Sequence, residues 1–93
     1  MDESDAVHRD AIRWACDAPH PTPQHRQVLV MLTAVAGPDL TGAWPDERET
    51  GRLLGLSATG VRRIRHDLYL AGWLTYSTAG RYRLTPQLSL AGR

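Results

Sequence analysis

Only three residues, Gly55-Leu56-Ser57, separate a helical pattern that closes at Leu54 from another that begins directly after them. A link that short forces two helices to cross steeply, which restricts the chain to a small set of compact helical arrangements. The signals at both ends agree. Asp46 is a good N-cap, with Glu47 and Glu49 in the first turn, where the helix dipole favours negative charge. Gly55 supplies the left-handed conformation that closes a helix, Leu56 is expected to pack inward, and Ser57 caps the second helix. The spacing predicts helices over 46–54 and 57–71.

In the second of these, Val61, Ile64, Leu68 and Ala71 recur at three- and four-residue steps and share one apolar face. Thr59, Arg62, Arg63 and His66 fall together on the opposite face, with Leu70 further along it. Hydrogen-bond donors dominate that outer side. After Gly72, Trp73-Leu74-Thr75-Tyr76 and Arg81-Tyr82-Arg83-Leu84 flank the turn-rich Ser77-Thr78-Ala79-Gly80, so 73–84 reads as a β-hairpin. Alternation puts Tyr82 and Leu84 on one face of its second strand and Arg81 and Arg83 on the other.

The run Trp44-Pro45, Leu53-Leu54-Gly55-Leu56-Ser57, Val61-Arg62-Arg63, Leu68 and Ala71-Gly72-Trp73-Leu74 resembles the winged helix-turn-helix family of bacterial, plasmid and phage regulators, replication initiators and conjugation proteins. The resemblance spans roughly Val28 to Leu84, and its motif is moderately specific. It implies a mainly α fold, a three-helix core plus a small β-hairpin wing, that binds double-stranded DNA with the second helix of the motif in the major groove. The pattern departs at four positions. The family usually carries a larger apolar residue at Thr50, a small residue such as alanine at Gly51, an apolar residue at Arg65 and a serine cap at Asp46.

The 93 residues, 42% hydrophobic and 23% charged, fit one small domain over 1–93. Net charge is only +1, but it is unevenly spread: residues 1–50 carry nine acids against four arginines, −5, and residues 51–93 seven arginines against Asp67 alone, +6. The basic half holds the donor-rich helix and the hairpin, so a polyanion is the expected ligand there. All eleven basic side chains are arginine, whose planar fork suits phosphate and guanine. A GC-rich coding bias accounts for the missing lysine but not for where the arginines sit.

Upstream, Ser4 is expected to cap a helix over 5–17 with Val7, Ala11, Trp14, Ala15 and Ala18 as its apolar stripe. This added helix either seals the core through Trp14 or offers a dimer contact. Thr22 caps and Pro23 opens a helix over 23–36 with Val28, Leu29, Leu32, Val35 and Ala36 inward, stopped by Gly37-Pro38. Ala43-Trp44 is expected as a short edge strand beside the hairpin, with Trp44 in the core. Thr85 to Leu90 alternates weakly, as a strand or a linker. The longest apolar stretch, Val28 to Ala36, falls far short of the roughly 20 residues of a membrane span. The acidic N-terminus is the reverse of an export signal and Cys16 stands alone, which together predict a cytoplasmic protein.

Catalytic patterns are missing: there is no Gly-rich phosphate loop, no Gly-x-Ser-x-Gly elbow and no His-Glu-x-x-His. His8, Cys16, His20 and His25 match no zinc spacing, and Asp46, Glu47 and Glu49 are explained as helix-start acids more simply than as a magnesium site. No enzyme activity, metal or cofactor is expected. Thr59, Arg62, Arg63 and His66 are the candidates for base readout, and Arg52, Ser57, Thr78, Arg81 and Arg83 for backbone contact. The expected role is sequence-specific transcriptional regulation, with these arginines gathered on one side of the molecule. The DNA-recognition module of a replication initiator or conjugative DNA translocase is the alternative, and a homodimer or an assembly on repeated sites is open. A winged helix used for protein-protein contact, through Tyr69, Leu70 or the Trp14 helix, is the alternative of another class.

Overall fold

The computed structural model describes residues 3–85: helices α1 (Glu3–Asp17) and α2 (Pro23–Val35), strand β1 (Thr41–Ala43), helices α3 (Glu47–Leu54) and α4 (Ala58–Leu70), and strands β2 (Leu74–Tyr76) and β3 (Arg81–Leu84). The fold is mixed, four helices with a small antiparallel sheet in the order β1-β3-β2. Local chemistry sets most boundaries. Thr22, Asp46 and Ser57 each accept a backbone N–H three residues on, from His25 at 3.2 Å, Glu49 at 2.9 Å and Gly60 at 3.0 Å. Gly55 closes α3 at φ 72°, the left-handed geometry that glycine adopts without strain.

The link between α3 and α4 is tight as well as short. The Leu56 N–H donates to the Gly51 carbonyl at 2.7 Å, and a Cβ on Gly51 would lie 2.3 Å from the Leu56 carbonyl oxygen. This contact explains why position 51 is glycine. Thr50 beside it is buried.

The core lies between the helices and one face of the sheet. Val28, Leu29 and Leu32 of α2, Val61, Ile64 and Leu68 of α4, and Leu74, Tyr82 and Leu84 of the sheet are buried. Register places Gly42 and Tyr76 opposite Tyr82, and Thr41 and Thr75 opposite Arg83. Tyr82 is fully buried, and its hydroxyl donates to the Leu32 carbonyl at 2.5 Å, tying sheet to α2. Burial pushes its phenol up to about 12. α1 closes the other side of α2 with Ala11, Trp14, Ala15 and Ala18 inward, and the Trp14 and Trp73 rings meet at 5.5 Å. Arg9, Asp10, Arg13, Cys16 and Asp17 cover its outer side.

Several expectations shift. α1 starts at Glu3, so Ser4 lies inside the helix rather than capping it. Val35 is 59% exposed because the buried arc of α2 takes in His25, Thr33 and Ala36 and leaves Val35 at its rim. Ala71 is exposed at the C-cap of α4, and the edge strand is Thr41–Ala43, one step before Trp44. Leu56 is half-buried against the core. The stretch from Pro86 to Leu90 and the Val7 side chain lie outside the described residues. Among the described residues, no helix is long and apolar enough to cross a membrane.

Candidate functional site

Residues one and two turns apart on the outer side of α4 form one wall of an open groove of about 510 Å³, lined by Thr59, Arg62, Arg63 and His66. The other wall is Tyr76 at the end of β2. All four side chains expected to read bases are therefore exposed and together. Tyr76 was not among the expected residues, although the pattern contains the signal: it shares a strand face with Leu74, the face turned to α4. Its ring packs on Tyr69 at 4.8 Å and on Trp44 at 5.6 Å, so it is fixed from two sides.

Arg62 is engaged in the free protein. Its Nε donates to Glu47 Oε2 at 2.9 Å and its Nη2 to Glu47 Oε1 at 3.4 Å, an ion pair between α4 and the first turn of α3. That pair holds the Arg62 guanidinium above its usual range. Arg65, one turn on, stands on the other side of the same carboxylate, with Nη1 4.0 Å from Glu47 Oε2. Its side chain is buried, its guanidinium lies 4.7 Å above the Trp44 ring, and its Nη2 donates to the Pro45 carbonyl. Desolvation lowers its pKa, and the Glu47 carboxylate opposes that shift. A guanidinium thus stands at the edge of the apolar face of α4 with its flat face against a ring, and Ile64 beside it is buried in the core.

The backbone candidates are distributed differently. Arg52 pairs with Glu49 on the exposed side of α3 at 2.5 Å. The Ser57 hydroxyl accepts the Gly60 N–H, which leaves its own proton free to donate outward. Thr78 is exposed in the hairpin loop. Arg81 and Arg83 are exposed on the sheet face opposite Tyr82 and Leu84, and Arg81 donates to the Thr41 hydroxyl at 3.2 Å. Thr41 in turn donates to Asp39 at 2.8 Å, a hydrogen bond that holds the Asp39 carboxyl below its usual range.

The arginines after residue 51 are therefore not gathered on one side. Arg62 and Arg63 line the groove, whereas β-strand alternation turns Arg81 and Arg83 to the face away from the core against which α4 packs. Arg65 is buried, and Arg52 is paired on α3.

His20 and His25 have other partners than a metal ion, and the His8 side chain lies outside the described residues. His25 Nε2 donates to Asp67 Oδ2 at 2.9 Å, joining α2 to α4, and its Nδ1 meets the Thr22 hydroxyl at 2.6 Å. His20 Nε2 donates to the Ala15 carbonyl at 3.1 Å, and burial lowers its pKa. Among the described residues, no cluster of histidine, cysteine or acidic side chains is placed to hold a metal ion.

Comparisons with protein-family models, with characterised proteins and with solved structures find no match to this chain.

Proposed function

We propose that this chain is a winged helix that binds double-stranded DNA, with α4 in the major groove and the β2–β3 hairpin as its wing, and that it acts as a transcriptional regulator. The observation that carries the reading is the groove on the outer side of α4, where Thr59, Arg62, Arg63 and His66 converge with Tyr76. Arginine forks suit the O6 and N7 acceptors of guanine, and a hydroxyl or imidazole serves bases or phosphates. The Arg62–Glu47 pair does not bar contact, since an exposed ion pair is worth about 0–1 kcal/mol against about 1–3 kcal/mol for a bidentate base contact. Arg81, Arg83 and Thr78 then serve a separate stretch of phosphate backbone.

The test is fluorescence anisotropy with labelled duplexes of random sequence at several salt concentrations. The expected result is binding whose logarithm falls linearly with that of salt. No binding at low salt overturns the reading. A protein-contact surface is the second reading, favoured by Leu70 at 68% exposure beside the half-exposed Tyr69 on α4. It predicts that Leu70→Ser abolishes partner capture and leaves duplex binding unchanged.

A further inference from the structure

Arg62 has two edges with which a guanidinium can make paired hydrogen bonds: the side edge, Nε with Nη2, and the end edge, Nη1 with Nη2. Glu47 occupies the side edge, at 2.9 and 3.4 Å, and is its one partner among the described residues. The end edge remains available on a side chain that lines the α4 groove. A lone surface pair would not keep a long side chain in place. Here the carboxylate is itself held: Glu47 sits in the first turn of a capped helix, and Arg65 stands 4.0 Å from the same oxygen that accepts from Arg62 Nε. Arg65 is 8% exposed and anchored to the Trp44 ring and the Pro45 carbonyl. A relay thus runs from the core, through Trp44, Arg65 and Glu47, to the groove side of Arg62.

We propose that Glu47 is a specificity-determining positioning residue: it braces Arg62 so that the end of the guanidinium meets the O6 and N7 atoms of one guanine in the major groove, with Arg65 holding the brace. This rests on the duplex-binding reading above. The alternative role for the same contact is competition, in which Glu47 withholds Arg62 from DNA. The two roles predict opposite changes in base preference when the carboxylate is neutralised. Both predict that binding to unrelated sequences holds or rises, because a negative charge near phosphate is removed.

A preferred duplex is first selected from a randomised pool with the parent protein. Each guanine in it is then replaced singly by 7-deazaguanine, which lacks the N7 acceptor, and affinities are measured for the parent, Arg62→Ala and Glu47→Gln. For the parent, loss of N7 at one guanine is expected to weaken binding by about 5- to 100-fold, the range for a bidentate base contact. Arg62→Ala should abolish that penalty. Glu47→Gln, nearly isosteric and checked by unchanged helical circular dichroism and Tm, should shrink it several-fold while affinity for unrelated duplexes holds or rises. A penalty that is unchanged or larger in Glu47→Gln overturns the brace, as does a parent that binds duplexes with no guanine dependent on Arg62, and duplex binding survives both results. A parent that binds no duplex at any salt overturns the duplex-binding reading itself.

Discussion

The molecule presents arginine pairs on two surfaces, and the two are built differently. On α4, Arg62 is held by Glu47, which is backed by the buried Arg65, and Arg63 stands beside it in a groove closed by Tyr76. On the sheet, Arg81 and Arg83 are exposed on alternating positions of β3, and the side-chain hydrogen bond made there is from Arg81 to the Thr41 hydroxyl rather than to a carboxylate. A guanidinium fixed from behind has one direction in which to offer its free donors, and such a group is suited to discriminate. A guanidinium on a flexible stem follows the nearest negative charge. In the proposed duplex complex, the same residue type serves readout in one place and attraction in the other.

The largest way to break the comparison is to unseat α4. In Gly51→Ala the new methyl collides with the Leu56 carbonyl, a backbone atom that cannot turn aside. The expected loss is about 3 kcal/mol, the upper part of the usual overpacking range, read from denaturant midpoints. A loss below about 0.5 kcal/mol would show that the α3–α4 link relaxes freely, and the groove would lose its rigid frame.

The sheet surface has its own point of failure in Tyr82. Its pKa is raised from an ordinary 10.0 to about 12, so folding favours the protonated phenol. The associated stability is fully present below pH 10 and is lost as pH rises through the folded value near 12, because there the unfolded chain gives up the proton first. A shift of that size corresponds to about 2–3 kcal/mol. Tyr82→Phe should lose about 1 kcal/mol at neutral pH and flatten the alkaline decline. The cost stays small because the Leu32 carbonyl also accepts from Ala36 at 3.1 Å. An alkaline decline equally steep in both proteins would place its origin elsewhere.

The two arginine surfaces separate directly in binding. Arg63→Ala should cost about 1–3 kcal/mol on a preferred duplex and relax the choice at one base position. Arg83→Ala should weaken all duplexes alike and flatten the salt slope by about one unit. If Arg83→Ala changes base preference and Arg63→Ala does not, the assignment of roles is reversed.

How far this division was legible in the sequence depended on range. The caps at Thr22, Asp46 and Ser57, the left-handed Gly55 and the outer face of α4 depend on steps of three or four residues, and the hairpin on a four-residue turn; these are found where periodicity and capping chemistry put them, whereas Ser4 is not a cap. Tyr76 was legible too, since it stands two residues from Leu74 on a strand. The Glu47–Arg62 contact was not, because it joins residues 15 apart and depends on the crossing of α3 over α4. Arg65 was harder still. Its place on the edge of the apolar face reads as a fault in the pattern until Trp44, from a different segment, supplies a ring and Pro45 a carbonyl. The separation of Arg81 and Arg83 from the groove was half-legible: alternation turned them away from Tyr82, but only the packing of α4 against the Tyr82 side turned them away from Arg62.

The smallest predicted effect probes where the α4 surface ends. Gly60 sits in the first turn of α4, and a Cβ there would meet Ser57 Oγ at 3.4 Å and Leu56 Cβ at 3.7 Å, ordinary contacts. Nothing within the chain therefore requires glycine, and Gly60→Ala should stabilise the fold by about 0.5–1 kcal/mol, the helix-propensity difference. Gly60 lies about 100° round the helix from Thr59, on the flank rather than on the outer face. Duplex affinity should then stay within about twofold of the parent's, well under the roughly tenfold effect that corresponds to 1.4 kcal/mol. A tenfold loss of affinity in a protein with a raised Tm would mean that DNA backbone presses against this flank. The readout surface would then extend past Thr59 to the turn at Leu56, and the contrast with the sheet would rest on backbone approach as well as on arginine bracing.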